Sequence, residues 1–135
     1  MFLLDTDTCI HYLNGSDAGL TRRVLAAGPE QLAVSALTAG ELHFGAARSS
    51  RPDANRERLA TFLRELTVVP FDAQCGSHFG RIKAALFGRG RPIPDFDVGI
   101  AATAAATGRT LVSGDRHMGE IPGLPLQNWL TGGQE

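Results

Sequence analysis

The sequence predicts an α/β fold, a three-layer α/β/α arrangement on a short, mostly parallel, doubly wound sheet, and two observations predict it. Short apolar runs at residues 2–4, 32–34, 67–71 and 110–113 are bounded by polar residues, as buried strands are. Longer helical stretches separate them, and strands that alternate with helices throughout form a parallel sheet with helices on both faces. With 135 residues, 43% of them hydrophobic, the chain is long enough for one domain over 1–135 with a real core.

The first run, Phe2, Leu3 and Leu4, ends abruptly in Asp5, Thr6, Asp7 and Thr8. Ligands in open α/β sheets bind outside the carboxyl ends of the strands, so Asp5 is placed like a site residue. Capping a short helix that starts at Cys9 accounts for Asp5 or Thr6 equally well. That helix ends near Asn14 and Gly15, and Asp17 caps a second through Leu20, Val24 and Leu25 until Gly28 and Pro29 break it. Leu32, Ala33 and Val34 form the second strand, and Ser35 caps a helix to about Arg48. There Leu37, Glu41 and Phe44 share a face by their spacing, so Glu41 interrupts an apolar stripe. A lone Glu in such a place commonly reaches solvent. This helix follows a strand, however, which puts its first turns at the same carboxyl edge as Asp5.

Residues 49–52 make a linker. Residues 55–66 form an Arg-rich amphipathic helix with Leu59, Phe62, Leu63 and Leu66 inward and Arg56, Arg58 and Arg64 in water. After the third strand, Asp72 caps a helix running through Phe79, Ile82 and Leu86 to Gly88. A basic loop, 88–94, then carries Arg89 and Arg91 among Gly and Pro. Asp95, Phe96 and Asp97 open a helix of very small residues ended by Gly108, which can lie close against a sheet and bring its first turn near the strand ends. Acids in a first turn also favour the helix dipole, which alone explains one of the two aspartates. The fourth strand ends in another acid, Asp115 after Gly114, and residues 124–130 with Trp129 supply a short edge strand.

A net charge of −1 excludes little, because a negative pocket inside a positive rim sums to nearly zero. Cys9 and Cys75 make no CxxC or Cys/His cluster, so neither a disulfide framework nor a zinc site is expected, and Cys9 reads as a small buried hydrophobe. The expected location is cytoplasmic, with no membrane span and no leader. His11, His43, His78 and His117 form no spaced metal set.

Asp5, Glu41, Asp97 and Asp115 thus converge on one sheet edge, where four acids repel unless a cation lies between them. Carboxylate oxygens suit Mg2+ or Mn2+, and Mg2+ takes one or two carboxylates while keeping several waters. Such an ion acidifies a water and neutralises a phosphoryl oxygen, which is nuclease chemistry.

The chain resembles PIN-domain ribonucleases of the VapC toxin type over nearly its full length. The resemblance rests on Leu4, Asp5 and Thr6 with Cys9 and Ile10; on residues 35–45 around Glu41 and Leu42; on Gly90 to Ile93 before Phe96 and Asp97; and on Leu111, Val112 and Ser113 with Asp115 and His117. It implies a toxin endoribonuclease that uses Mg2+ or Mn2+ held by Asp5, Glu41, Asp97 and Asp115, a homodimer silenced by a VapB-like antitoxin. The Gly90 to Ile93 stretch is similar to toxin members that cut the anticodon loop of initiator tRNA. Asp7, Ser113 and Met118 depart from the family, which often has Asn, Thr and an aromatic residue there; the fourth acid varies, so Asp115 is the least secure. Arg89 and Arg91 are candidate RNA phosphate contacts.

Two alternatives remain open at this point. Asp5 and Asp7 after an apolar strand resemble the opening of haloacid-dehalogenase-like phosphatases, with Asp5 as nucleophile. A receiver-like signalling module would also hold Mg2+ in an acidic pocket without catalysis. Both normally need a Lys near the phosphate, and the one lysine, Lys83, falls in mid-helix.

Overall fold

Strand β1 (Phe2–Leu4) is the centre of the molecule, because it is the strand from which the chain winds in both directions. The computed structural model describes residues 1–132 and contains one sheet of five parallel strands. On one side of β1 lie β2 (Leu32–Ser35) and β3 (Thr67–Val69); on the other lie β4 (Thr110–Val112) and the edge strand β5 (Leu126–Gln127), giving the order β3-β2-β1-β4-β5. Leu3 is in register with Ala33 on β2 and with Leu111 on β4. The winding direction reverses between β1 and β4, which is the point where such sheets bind ligands.

Among the described residues six α-helices cover the two faces: α1 (Thr6–Asn14), α2 (Ala18–Ala27), α3 (Ala36–Arg48), α4 (Pro52–Arg64), α5 (Ala73–Gly88) and α6 (Asp95–Thr107). The two-residue period of the strands sorts the core. Leu3, Ala33 and Leu111 pack on one face with Leu86 of α5 and Val98, Ala101 and Ala104 of α6. Leu4, Val34 and Val112 pack on the other with Leu20, Leu42, Leu59, Phe62 and Trp129. Both faces are covered, so the expected three-layer, doubly wound architecture is present, and the sheet is parallel throughout.

Four local expectations are corrected. Helix α1 starts at Thr6 instead of Cys9, because Asp5 Oδ1 accepts the Thr8 N–H at 2.9 Å and winds Thr6 to Thr8 into the first turn. Helix α4 starts at Pro52, a residue suited to a first turn, which shortens the linker before it. Strand β3 ends at Val69, leaving Phe71 40% exposed. The Leu37, Glu41 and Phe44 face is not the core face of α3: Thr38, Ala39 and Leu42 are buried and Phe44 is 66% exposed. Helix α3 carries two stripes, and the one with Leu42 meets Leu59 and Phe62 of α4.

Helix α6 is buried from Val98 to Ala104, and its small side chains are what allow this. A Cβ on Gly99 would stand 2.4 Å from Leu37 Cδ1, so glycine lets α6 close on α3 and brings Asp97 toward Glu41. A Cβ on Gly76 or Gly80 of α5 would meet nothing within 4 Å. Gly76→Ala and Gly80→Ala should each stabilise the fold by about 0.5–1 kcal/mol through helix propensity. Gly99→Ala should lose that gain or reverse it, since the Leu37 methyl must move. Urea denaturation of the three variants checks this contrast, and an equal gain at Gly99 contradicts the close approach.

Candidate active site

Parallel strands put the carboxyl ends of β1, β2 and β4 at one edge of the sheet, and each strand end there delivers a polar residue. Asp5 follows β1 and is only 6% exposed. Its backbone N–H bonds Val112 O at 3.0 Å, which extends the β1–β4 ladder, and its side chain caps α1. The helix cap and the candidate site residue are therefore the same group. Burial pushes the Asp5 carboxyl above the usual carboxylate range, hydrogen bonds from Ser113 and Thr8 pull it back, and the charge of Asp7 pushes it up again.

Helix α3 brings Glu41 in from β2. Thr6 Oγ1 lies 2.5 Å from Glu41 Oε1 and 3.1 Å from Thr38 Oγ1. A hydroxyl has one proton, so Thr6 donates to Glu41 while Thr38 completes the chain. Glu41 is thus tied to α1 and is half-buried, which is not the solvent-facing edge position a lone Glu commonly takes.

Asp97, in the first turn of α6, is also half-buried. Burial raises its pKa above the usual carboxylate value, and the charges of Asp115, Glu41 and Asp5, in that order, raise it further. Three carboxylates from three separate segments act on one group from a fourth. Among the described residues no Lys or Arg pairs with Asp5, Glu41 or Asp97.

Asp115 caps the 3-10 turn Arg116–Glu120, with its Oδ1 accepting the His117 N–H at 2.9 Å and lying 3.0 Å from His117 Nδ1. Its own N–H donates to Ser113 Oγ at 3.0 Å, so Ser113 links the Asp5 and Asp115 segments. Gly114 allows this turn to pass Leu130, whose Cδ1 would be 2.5 Å from an added Cβ.

The other polar residues of these motifs point elsewhere. Asp7 is exposed and 3.5 Å from His11, and Asp95 pairs with Lys83 at 3.1 Å. Arg89 donates to Glu120 O at 2.8 Å, and Arg91 lies 3.9 Å from Glu120 Oε1; both are exposed on a loop pinned to the end of the turn that follows Asp115. Cys9 is fully buried, and burial pushes its thiol far up, so it is the expected inert hydrophobe. Sequence reasoning missed Thr38 as a polar partner and took Ser113 as part of a motif, and as a departure from it, without giving it a role at the site. Ser and Thr near strand ends signal helix caps, but contacts across 32 to 35 residues leave no local trace.

Among the described residues no three His, Cys, Asp or Glu side chains close into a preformed metal cage. The donor set nevertheless fits a hard divalent cation. It is all carboxylate, has no Lys or Arg paired with Asp5, Glu41 or Asp97 among the described residues, and needs to supply only one or two ligands to an ion that keeps its waters.

A model of the family described as PIN domain matches residues 2–124. The chain is 31% identical over 129 residues to the tRNA(fMet)-specific endonuclease VapC of Salmonella typhimurium, covering 95% of this chain and 97% of that one. It is 30% identical over 131 residues to ribonuclease VapC2 of Rickettsia felis, covering 96% and 98%. The solved DNA-bound VapBC structure from Salmonella typhimurium superposes with a TM-score of 0.90 at 31% identity, over 95% of this chain and 97% of that one. With that match and the shared sheet, the chain belongs to the PIN domain family, among its VapC ribonucleases.

Proposed function

We propose that this chain is a toxin endoribonuclease in which Asp5, Glu41, Asp97 and Asp115 hold Mg2+ or Mn2+ and RNA is the substrate. The observation that carries the proposal is the convergence of the four acids on one sheet edge, where burial and then the charges of Asp115, Glu41 and Asp5 raise the pKa of Asp97. When bound, the cation supplies charge neutralisation at a phosphoryl oxygen and a more acidic water for attack. The protein's share is placement. Thr6 and Thr38 fix Glu41, while Ser113 and Thr8 hold Asp5 to β4 and α1.

The names of the relatives support RNA cleavage, and that of the Salmonella enzyme supports tRNA as the substrate class, with the anticodon loop as the proposed target. Arg89 and Arg91 supply backbone phosphate contacts in this reading. The phosphatase and receiver alternatives are not supported: the relatives are ribonucleases, and Lys83 is paired with Asp95 on the surface instead of facing Asp5. Among the described residues no helix is long and apolar enough to cross a membrane.

VapBC complexes among the structural neighbours support a VapB-like antitoxin as partner, and the toxin is proposed to act as a homodimer. An unneutralised acidic pocket attracts any cation, so an antitoxin Arg or Lys is proposed to enter it and compete with the metal.

Asp5→Asn and Asp97→Asn should each lower Mg2+-dependent RNA cleavage by about a hundredfold or more, and Glu41→Gln should do likewise. In EDTA at pH 7 the same Asn variants should be more stable than wild type, by roughly 2–5 °C in Tm. The sign follows from the raised pKa values: folding favours the protonated carboxyls, whose stabilising contribution is present at low pH and lost as pH rises through the folded pKa. The Asn gain should therefore shrink as pH falls through the raised folded pKa values and be gone below about 4. Cleavage at the wild-type rate by either variant contradicts the metal assignment, and a lower Tm contradicts the repulsion.

Competition for one site makes a second expectation reciprocal: raising Mg2+ at constant ionic strength should weaken antitoxin affinity. Calorimetric titration of the complex at several Mg2+ concentrations checks it. An affinity indifferent to Mg2+ removes this mode of inhibition.

A further inference from the structure

At the end of α6 remote from Asp97, helix α5, the last turns of α6 and the segment 121–125 enclose a cleft of about 480 Å3. Gly108, on its wall, is about 17 Å along the helix from Asp97 at 1.5 Å per residue. Ile82, Ile121 and Leu124 form an apolar side; His78, Arg81 and Arg109 are its titratable residues, and no acid lines it. Arg109 Nε is buried with no hydrogen-bond partner among the described residues. A buried donor left unpaired costs free energy, a cost that an acceptor relieves if the Arg109 side chain turns toward the cleft it lines.

Arg81 lies against the His78 ring, with Nη2 3.3 Å from Nδ1, and neither arginine forms an ion pair among the described residues. The negative end of the α6 dipole accounts for a cation at Arg109. It does not satisfy the guanidinium, because the Gly108 and Arg109 backbone N–H groups already cap Ala105 and Ala104. Two guanidinium forks without a carboxylate partner match the oxygens of a phosphate monoester. The volume is that of a small-molecule site, with room for a ring against the apolar side.

We infer that this cleft is a second ligand site, independent of the acidic edge, that takes an organic phosphate the size of a nucleoside monophosphate. The phosphate meets Arg81 and Arg109, and the ring meets Ile82, Ile121 and Leu124. The same group exists on free nucleotides and at the terminus of an RNA strand.

Calorimetry with adenosine monophosphate in EDTA, which keeps metal from the acids, tests the site. One-to-one binding is expected, weakened about tenfold or more by Arg81→Gln and by Arg109→Gln and unchanged by Asp97→Asn. Arg81 is exposed on α5, so its variant keeps the fold, which circular dichroism verifies. Adenosine and inorganic phosphate should each bind at least about tenfold more weakly than the nucleotide. A short 5′-phosphorylated RNA that the nucleotide displaces identifies the strand terminus as the natural source; one that binds no better than its 5′-hydroxyl form identifies free nucleotide. No saturable binding by about 10 mM, or full affinity in both folded Arg variants, overturns the inference.

Discussion

Burial of the Asp5 and Asp97 carboxyls at one sheet edge, where Asp97 also feels the charges of Asp115, Glu41 and Asp5, is the constraint around which this molecule is arranged. Asp97 sits where Asp115, Glu41 and Asp5 all disfavour its charge, and no described Lys or Arg relieves it. Such a cluster is costly to the folded chain in the absence of a cation. The rest of the fold has to hold the acids together against that cost.

It does so with backbone and hydroxyl groups that carry no charge. The β1–β4 ladder runs on through the Asp5 N–H, and the Asp5 side chain caps α1, so the acid cannot swing away without breaking both. Thr6 and Thr38 fix Glu41, and Ser113 bridges the Asp5 and Asp115 segments. Gly99 lets α6 close on α3, and buried alanines let that helix lie deep in the core, which sets the depth of Asp97. Packing and hydrogen bonding thus oppose electrostatics at one edge, a local conflict of the kind that marks functional sites.

Much of this was legible in the sequence because it depends on local pattern. Short apolar runs gave the strands, and Asp17, Ser35 and Asp72 gave the helix starts, each confirmed by a side-chain bond to the backbone N–H three residues on. The acids stood out by their placement after those runs. What could not be read was the phase of α3, since two apolar stripes compete and only the partner helix decides between them. The hydroxyl chain that reaches Glu41 was hidden for the same reason: Thr6, its partner, and Thr38, which bonds Thr6, become neighbours only after β1 and β2 pair. The cleft between α5 and α6 was hidden too, because Arg81 and Arg109 are far apart in the chain and each looks like an ordinary surface cation.

The claim that most needs direct measurement is that acids from four segments share one field. Carbon-detected NMR titration of the Asp97 carboxyl in EDTA reads it without any substrate. A pKa above the usual carboxylate range is expected, moving back toward it in Asp115→Asn and again in Glu41→Gln. An ordinary pKa, indifferent to both substitutions, would contradict it.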